Sequence, residues 1–542
     1  MRAIDLYAGI GGWSLGLKLA GVEVVHSYEW WQPAIDTHNG NHSTNLEPTN
    51  IRTLDFGSLP KDIDIVVGSP PCTQFSYSNR GGSGDLADGL VDLKRFFEIV
   101  DHLKPKYWAM ENVPRVAKVL EAAFSDPDHD FYALRHLKPN IGVFDLSEFG
   151  CPQARRRCIA TNLHLDAICE FGALSKKLTL GDVVSGLAAN EEITDPVWGV
   201  TLPRKLVTEQ EKEEKLSDEE LRLNRESKIY HPVYNNMSFP DRMDSPARTV
   251  TATCTRVSRE SIVVSDANPE ASYRRLTIRE RASLQGFPIT YQFYGKSFAE
   301  KAKMIGNAIP PTFSYIIGSI AAGKEASEFV LHQEVGTPLT VPAKPAPLTA
   351  VDTAGKTYPS KRRFRAAIPG LRFKSGMRFE FSNEVNGSRT NWTVKFFTGN
   401  SKDIRVHALQ QETLSELGRL VDLERVLATL RSNGELLASH IESIEEEDLQ
   451  KTWTRRRLGQ SPYFVVDQLG EIGDSVHAEI LELAPQESLE EIVLCVAGCA
   501  DANGKFVNEA KLRRNASRIV SGIIVGSWFN ELPWKGNVAF AA

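Results

Sequence analysis

The sequence has little cysteine and no long apolar run. Seven cysteines are spread over 542 residues and none stands in a CxxC pair, which predicts free thiols in a reducing compartment and neither a disulfide framework nor a metal site. No apolar stretch approaches the roughly 20 residues that a bilayer-spanning helix needs. Arg2 to Tyr7 already has the pattern of a strand rather than of a signal peptide. We therefore expect a soluble, cytoplasmic protein without a membrane partner.

An excess of positive charge is also missing. The 69 Asp and Glu residues outnumber the 63 Lys and Arg residues, which leaves a net charge of −6. Any nucleic-acid site must therefore depend on local basic patches. A chain of this length, with 42% apolar residues, is sufficient for two to four domains.

A glycine-rich turn connects a strand and a helix near the start of the chain. The strand Ala3 to Tyr7 ends at Ala8-Gly9-Ile10-Gly11-Gly12, and a helix is predicted from about Trp13 to Ala20. Such a unit brings backbone N–H groups close to a nucleoside cofactor. Ser14 stands where a dinucleotide fingerprint needs a third glycine, so the pattern indicates NAD binding only weakly. A purely structural glycine turn remains an alternative.

Glu29 closes the second strand, about 20 residues after the glycines, where an acidic residue suits a pair of ribose hydroxyls. An ordinary solvated glutamate is the alternative. His38 and His42 follow in a polar stretch without ligands at metal spacing, and we expect both on the surface.

A single cysteine stands at the end of another short strand. The stretch Ile65 to Ser76 reads IVVGSPPCTQFS, so the rigid Pro70-Pro71 turn presents Cys72 at the sheet edge where open α/β sheets place their chemistry. A buried, inert thiol is the alternative. A glycine-serine loop carrying Arg80 follows, which suits a mobile lid or a plain linker.

Two more strands carry polar residues at an end. Glu111 and Asn112 follow the strand Tyr107 to Met110, and Arg155-Arg156-Arg157 open the strand that continues into Cys158. Taken alone, three arginines are typical of a solvated or phosphate-binding patch.

In their order and spacing these pieces resemble the cytosine-C5 DNA methyltransferase family. The motifs that carry the resemblance are DLYAGIGG (Asp5 to Gly12), Glu29, GSPPC with FS (Gly68 to Ser76), ENV (Glu111 to Val113), PQARRR (Pro152 to Arg157), RRLTIRERASLQGFP (Arg274 to Pro288) and IGNAIPP (Ile305 to Pro311). The resemblance covers about residues 1 to 325. It implies an α/β fold with a doubly wound, mostly parallel sheet of the S-adenosylmethionine methyltransferase type.

The resemblance also implies a reaction and the residues that carry it. Cytosine C5 is a poor nucleophile, so a thiolate adds at C6 of a flipped base and C5 then takes a methyl group from S-adenosylmethionine. Cys72 fits the nucleophile and Glu111 the acid at N3. Arg155 and Arg157 fit the cationic donors near O2, Cys72 and the backbone.

The cofactor residues that the resemblance implies are Tyr7, Gly9, Gly11, Gly12, Glu29, Trp30, Asn50, Ile51, Pro71 and Asn307. Three positions depart from the family pattern. Tyr7 replaces a phenylalanine, Asn50 replaces an aspartate, and Thr73 replaces a glutamine beside the cysteine. Every reacting group is present, so we expect an active enzyme.

The family places a target recognition domain between the arginine motif and Arg274. Within it, Leu206 to Arg225 is rich in charge and is predicted to be a solvated helix, whereas Asp241 to Val264 alternates threonine with arginine, which suits contacts with groove edges and phosphates. Packing of threonine-rich edge strands is the alternative. The predicted DNA-binding residues are Gln153, Arg80, Arg248, Thr251, Thr253, Arg256 and Arg259.

The domain boundaries follow from these assignments. We expect a catalytic domain at 1–165 that resumes at 273–328, a target recognition domain at 166–272, a Pro/Ala-rich linker at 333–360 and an α+β C-terminal extension at 361–542. In the extension, Lys361 to Phe397 interleaves basic and aromatic residues, with a hairpin predicted at Asn386-Gly387. Thr413 to Ile444 has a helical pattern. A small β core with solvated arginines and a nucleic-acid surface are both open interpretations.

The sequence therefore predicts a DNA cytosine-C5 methyltransferase that acts as a monomer on double-stranded DNA. Family habit suggests restriction-modification or phage defence, with residues 361–542 either binding additional DNA or docking a restriction or defence partner. The family's tRNA-methylating branch is an alternative, as is a non-catalytic DNA-binding protein on the same fold. The dehydrogenase interpretation fails on Ser14 and leaves the cysteine motif unexplained.

Overall fold

The computed structural model divides the chain into two compact units. The first spans Met1–Ile229 and Met237–Ala354, and the second spans Gly355–Ala542. The residues described are 1–72, 75, 86–229, 237–265, 272–329, 339–342, 345–351, 357–373, 377–387, 389–398, 405–407, 409, 422–497 and 509–535. Among them no helix is long and apolar enough to cross a membrane.

A six-stranded sheet forms the centre of the first unit. Its strands are β1 (Arg2–Leu6), β2 (Glu23–Tyr28), β3 (Ile65–Gly68), β4 (Tyr107–Asn112), β5 (Asn140–Asp145) and β7 (Arg156–Thr161), in the order β2-β1-β3-β4-β7-β5. Strands β1 to β4 run parallel and β7 is antiparallel to both of its neighbours. Ile65, Val66 and Val67 of β3 are fully buried, as expected where helices cover both faces of a parallel sheet. The predicted fold class is confirmed.

Of the helices described in this unit, the first four alternate with the strands of the sheet along the chain and the other six follow its last strand. They are α1 (Gly12–Leu19), α2 (Gln32–His42), α3 (Leu86–Leu103), α4 (Arg115–Ser125), α5 (Leu165–Ala173), α6 (Leu180–Gly186), α7 (Asp218–Ile229), α8 (Ile278–Leu284), α9 (Phe298–Asn307) and α10 (Pro311–Ala321).

The late motif returns the chain to the glycine turn. A Cβ atom on Gly12 would lie 2.2 Å from the carbonyl oxygen of Ile309, and one on Gly16 would lie 2.2 Å from Ser314 Oγ. Ser314 Oγ donates to Gly12 O at 2.7 Å. Only glycine allows α1 and α10 to pack this closely. The segment that follows the last motif therefore packs on the first strand-turn-helix.

Between β7 and α8 the chain forms short strand pairs instead of further sheet. These strands are β8 (Glu192–Thr194), β9 (Thr201–Pro203), β10 (Ala247–Arg248), β11 (Val263–Ser265) and β12 (Tyr273–Arg275). Strand β10 pairs in parallel with the two-residue strand β6 (Gln153–Ala154) of the arginine motif. The threonine-arginine stretch therefore packs directly against a predicted catalytic segment.

The charge-rich helix is not the solvated element that we predicted. Helix α7 buries Glu220, Asn224 and Lys228. Asn224 Nδ2 donates to Arg256 O at 2.8 Å, and Glu220 forms an ion pair with Arg256. The prediction was wrong because the charged partners of this helix lie far away in the sequence.

The second unit combines an antiparallel sheet with helices. The sheet contains β13 (Arg365–Arg372), β14 (Arg378–Asn386), β15 (Arg389–Thr398) and β16 (Arg405–His407) in sequential order. The helices are α11 (Leu423–Ser443), α12 (Glu446–Trp453), α13 (Pro462–Leu483), α14 (Gln486–Ala497), α15 (Glu509–Arg514) and α16 (Ala516–Asn530).

The aromatic residues of this second sheet form its core. Phe379, Phe381, Trp392 and Phe396 are all buried, which supports the interpretation of Lys361 to Phe397 as a small β core. The hairpin predicted at Asn386-Gly387 is confirmed, with Gly387 at φ 64°. Of the segment predicted to be helical from Thr413, residues 413–421 lie outside the described part, and the helix observed is Leu423–Ser443.

Candidate active site

Cys72 follows β3 in a turn that neighbouring strands hold in place. Asn112, at the end of β4, donates through Nδ2 to Pro70 O at 3.0 Å, and Trp13 Nε1 donates to Ser69 Oγ at 3.0 Å. The backbone N–H of Phe75 donates to Cys72 O at 3.0 Å. The thiol is free and half-buried. Asn112 and Trp13 were not among the predicted site residues, although both stand in the quoted or adjoining motifs.

Glu111 and Arg157 form an ion pair beside this turn. Arg157 Nε lies 2.8 Å from Glu111 Oε1, and the two side chains are only 13% and 6% exposed. Glu111 is opposite Ile159 in the antiparallel pairing of β4 and β7, so Arg157, two residues from Ile159, projects from the same face of the sheet. The sheet register thus brings a carboxylate and a guanidinium together.

The surroundings of Cys72 disfavour its thiolate. Burial raises the pKa of the Cys72 thiol above its ordinary value, and the negative charge of Glu111 raises the pKa further. Arg157 and Arg155 act in the opposite direction without cancelling that rise. These effects also place both arginines within electrostatic range of the sulfur.

Arg155 is buried and braces the backbone. It is 1% exposed, and its guanidinium donates to Val250 O at 3.2 Å, Gly306 O at 3.0 Å and Ala308 O at 3.1 Å. Burial, together with the nearby charge of Arg157, lowers the pKa of Arg155 to about 9. Among the described residues its Nε has no hydrogen-bond partner. Arg155 therefore joins the arginine motif to two later segments.

Gln153 has a similar bracing role, which corrects its predicted contact with DNA. Its side chain is fully buried. Nε2 donates to Leu284 O at 2.8 Å and to Gln285 Oε1 at 2.5 Å, and Oε1 accepts from Val250 N at 2.8 Å. These bonds hold the side chain inside the protein, so it is not presented to a DNA surface.

Glu29 is tied to the glycine turn. Its Oε2 accepts from Gly9 N at 2.8 Å, and its Oε1 accepts from the backbone N–H groups of Trp30 and Trp31, both at 2.8 Å. A carboxylate has about four lone-pair sites, so these three bonds leave room for a ribose hydroxyl. The Trp30 side chain is 73% exposed next to this carboxylate. A nucleoside fits this set of groups.

The hydroxyl that distinguishes Tyr7 from phenylalanine has its own partner. Tyr7 Oη donates to Asp92 Oδ1 at 3.2 Å, and Arg52 holds the same carboxylate through Nε at 3.0 Å and Nη2 at 2.7 Å. Burial and Asp92 raise the pKa of Tyr7 far above its ordinary value. Asn50 Oδ1 accepts from Arg52 N at 3.1 Å. The departures at Tyr7 and Asn50 thus belong to one connected group.

The remaining predicted cofactor residues line the same edge with different accessibility. Pro71 and Asn307 are exposed, the latter at the end of α9, whereas Ile51 and Gly12 are buried. Gly11 has φ 89°, and a Cβ there would lie 2.4 Å from His42 Nε2. Gly11 and Gly12 are therefore required both for the turn and for packing beneath it.

A buried polar chain lies under the glycine turn, and sequence reasoning missed it. Asp5 Oδ2 accepts from Ser14 Oγ at 2.7 Å, and Ser14 Oγ lies 3.2 Å from His38 Nε2. The His42 ring packs against that of His38, and its Nε2 lies 2.9 Å from Tyr291 Oη. The prediction that both histidines lie on the surface was wrong, because helix α2 turns them towards the glycine turn.

Burial has the largest effect on the pKa values of the titratable groups in this buried polar chain under the glycine turn. It raises the pKa of Asp5 to about 7 and lowers the pKa of His38 to about 4, in each case by disfavouring the charged form. The pKa of His42 is also lowered well below its usual value, chiefly by burial. No group of side chains with the composition of a metal site occurs in the described part of the chain.

Several predicted DNA-binding residues are engaged within the protein. Arg256 is buried and pairs with Glu220 and Glu213, which corrects its predicted contact with DNA. Arg248 binds the Asp241 carboxylate through Nε at 2.6 Å and Nη2 at 2.9 Å.

Other members of that predicted set stay near the surface. Arg259 is partly exposed and pairs with Glu260 at 2.8 Å. Thr251 Oγ1 donates to Thr253 O at 2.8 Å, and Thr253 is exposed. Arg80 and Thr73 lie outside the described residues.

Comparison with known proteins identifies relatives over the first unit. Residues 1–321 match the model of the C-5 cytosine-specific DNA methylase family. The type II methyltransferase M.FnuDI of Fusobacterium nucleatum is 27% identical, over 58% of this chain and 93% of its own length. M.HindV of Haemophilus influenzae is 28% identical, over 59% of this chain and 95% of its own length.

A solved structure also aligns with part of the chain. The S. pombe Dnmt2 methyltransferase aligns with 60% of this chain and 98% of its own, at 18% identity and a TM-score of 0.44. The family match covers more than half of the chain and includes every motif quoted above. The chain therefore belongs to the C-5 cytosine-specific DNA methylase family and is an S-adenosylmethionine-dependent DNA (cytosine-5-)-methyltransferase.

Proposed function

We propose that Cys72 is the nucleophile that adds to C6 of a flipped cytosine, with Glu111 acting at N3 and Arg157 donating at O2. The observation that carries the proposal is the Glu111–Arg157 ion pair within electrostatic range of the Cys72 sulfur. Thiolate addition pushes negative charge onto N3 and O2 of the base, so an acid and a cationic donor are needed together. Arg155 holds the backbone that positions these groups.

The protein residues act at both ends of the reaction. The Cys72 thiol passes its proton to Glu111 as its sulfur bonds to C6, the electron pair of the C5–C6 double bond becomes available at C5, and Glu111 protonates or hydrogen-bonds N3. S-adenosylmethionine, when bound, supplies an electrophilic methyl group. The methylated C5 then loses its proton to solvent, which restores the C5–C6 double bond and releases Cys72 as a thiolate. N3 returns its proton to Glu111, and the methyl donor would leave as S-adenosylhomocysteine.

The cofactor residues remain those predicted from the motifs. Glu29 accepts a ribose hydroxyl, the Tyr7 ring lies against the adenine, and the backbone at Gly9 and Gly11 faces the methionine end. Trp30, Asn50, Ile51, Pro71 and Asn307 complete the set, together with Gly12 beneath the turn. The lone-pair capacity left on Glu29 supports this arrangement.

The substrate that we propose is duplex DNA within a restriction-modification system. The relatives matched are named type II methyltransferases, and the exposed Thr253 and partly exposed Arg259 are side chains able to reach a groove or a phosphate. Action as a monomer and residence in the cytoplasm belong to the same proposal. A defence partner bound by residues 361–542 remains the prediction made from the sequence.

The decisive experiment traps the covalent step. The full chain is incubated with labelled S-adenosylmethionine and either duplex DNA or tRNA, and methylated cytosines are mapped by bisulfite sequencing. A duplex carrying 5-fluorocytosine at the mapped position should form a stable adduct, because fluorine cannot leave C5 as a proton does. Mass spectrometry should locate the adduct at Cys72.

A matched pair of variants provides the control. Cys72→Ala should abolish both methyl transfer and the adduct, whereas Cys169→Ala, which changes an exposed free cysteine, should leave both unchanged. Methylation of tRNA alone would move the protein to the alternative branch. Undiminished transfer by Cys72→Ala would contradict the proposed nucleophile.

A further inference from the structure

Two basic segments of the second unit come together although about 90 residues separate them. Residues 357–363 contribute Lys361, Arg362 and Arg363, and residues 449–458 contribute Lys451 and Arg455-Arg456-Arg457, without an acidic residue in either segment. Tyr358 N donates to Thr454 O at 3.0 Å, and Gln450 Nε2 donates to Ser360 O at 2.7 Å. Seven cationic residues thereby share one part of a chain whose net charge is −6.

Aromatic rings give this patch a fixed framework. The Arg362 guanidinium stacks over the rings of Tyr358 and Trp453, with its carbon 3.6 and 3.7 Å from the two ring centres. The guanidinium carbon of Arg455 lies 5.1 Å from the centre of the Tyr358 ring. Stacking of this kind orients a guanidinium without neutralising its charge. The centre of the patch is therefore preorganised.

The outer residues of the patch point towards solvent. Lys361, Arg363, Arg456 and Arg457 are all exposed. Asp448 pairs with Lys451 and Arg457, and Arg457 still keeps 51% of its side chain exposed. Asp448 therefore offsets part of the positive charge and leaves Arg457 accessible.

We propose that this patch, defined as residues 357–363 and 449–458, is a second DNA-binding surface that contacts the phosphate backbone of duplex DNA irrespective of sequence. A cluster of exposed arginine and lysine side chains on a rigid framework complements closely spaced phosphates. The patch lies outside the family's methyltransferase part, so it adds affinity for DNA without choosing the target base. The proposal goes beyond the proposed function and does not depend on the assignment of Cys72.

The test compares two variants of the full chain that lose equal charge. The patch variant carries K361Q, R363Q, R456Q and R457Q, and the control carries R389Q, R431Q, K511Q and R514Q at exposed positions of the same unit. Binding to a fluorescent duplex is measured from 50 to 200 mM salt. Each phosphate contact adds about 0.9 to the slope of log Kd against log salt. In the patch variant we expect the slope of log Kd against log salt to fall by about 3. We also expect it to bind DNA at least tenfold more weakly at 50 mM salt.

Several outcomes would overturn the proposal. One is an unchanged salt slope of DNA binding in the patch variant, and another is an equal loss of slope in the control variant. A third is unchanged DNA binding by the patch variant together with lost binding to phosphatidylserine vesicles, which would indicate a lipid-binding surface. If the fourfold variant does not fold, K361Q with R363Q should remove about half of the slope change. Methyl transfer at saturating DNA is measured in parallel. Its persistence in the patch variant separates this proposal from the catalytic one.

Discussion

Arg155 donates a 3.0 Å hydrogen bond to the carbonyl of Gly306, the residue before the predicted cofactor residue Asn307. The arginine motif and the late motif are thus joined by a buried guanidinium. Arg157, two residues further on, contacts Glu111 instead. The two arginines therefore contribute differently: one holds backbone together and the other meets the reacting groups.

We expect Arg155→Ala to lower the free energy of unfolding by about 3 kcal/mol, because it removes a buried donor from the carbonyl groups of Val250, Gly306 and Ala308, of which Ala308 keeps a bond from Gln285. Arg157→Ala should cost less stability, yet it should lower the rate of methyl transfer about 100-fold through loss of a charged donor. Denaturant unfolding and single-turnover methylation measure the two effects. Equal stability losses in the two variants would contradict this division.

Glu111→Gln should make Cys72 more reactive towards an alkylating reagent while it abolishes most methyl transfer. Glu111 raises the pKa of the Cys72 thiol, so removal of its charge should lower that pKa and increase the thiolate fraction at pH 8. In the native chain, alkylation should accelerate as the pH rises through 9 and above. Mass spectrometry of the Cys72 peptide measures the rate, with the exposed Cys169 as the internal reference. Slower alkylation of the variant would refute the electrostatic argument.

Tyr7→Phe should change cofactor affinity by less than about threefold, because the ring remains and Arg52 still holds Asp92 through two hydrogen bonds. The lost hydroxyl contact should reduce the free energy of unfolding by about 1 kcal/mol. Titration calorimetry with S-adenosylhomocysteine and thermal unfolding measure these effects. Tyr7→Ala serves as the comparison and should bind the cofactor much more weakly, since it removes the ring.

Arg256→Ala should destabilise the protein by about 3–5 kcal/mol, because it removes the cation that pairs with the buried carboxylates of Glu220 and Glu213. Thr253→Ala, at an exposed position, should leave the melting temperature unchanged and weaken binding to a duplex that contains the target site. Melting curves and DNA titrations of both variants distinguish packing from recognition. A stable Arg256→Ala variant with weakened DNA binding would restore the original prediction for that residue.

The turns of the molecule could be predicted from the sequence, because each turn is determined by a few adjacent residues. The glycine turn, the Pro70-Pro71 bend before Cys72 and the hairpin at Asn386-Gly387 each depend on a few adjacent residues. Their positions in the fold agree with the motifs because strand ends of a parallel sheet meet at one edge.

Partners that are distant in the sequence account for what was missed. Arg256 resembles a DNA contact until Glu220, 36 residues earlier, is seen beside it. His42 looks like a surface residue because its partner Tyr291 is some 250 residues away, and His38 does so because its partner Ser14 lies in an earlier helix. A buried charge or imidazole is recognisable only once its partner is known.

The pairing of β10 with β6 has a consequence for exchanging target preference between related enzymes. Val250 and Thr251 give their backbone groups to Gln153, Arg155 and Arg281, and a Cβ on Gly306 would lie 2.4 Å from Ala252 N. Consider a hybrid protein in which a related enzyme supplies the residues after the junction. A junction before Ala247 would replace one side of these backbone contacts with foreign residues. A junction after Ala252 would keep all of these contacts between residues of the original chain and exchange only the residues that follow.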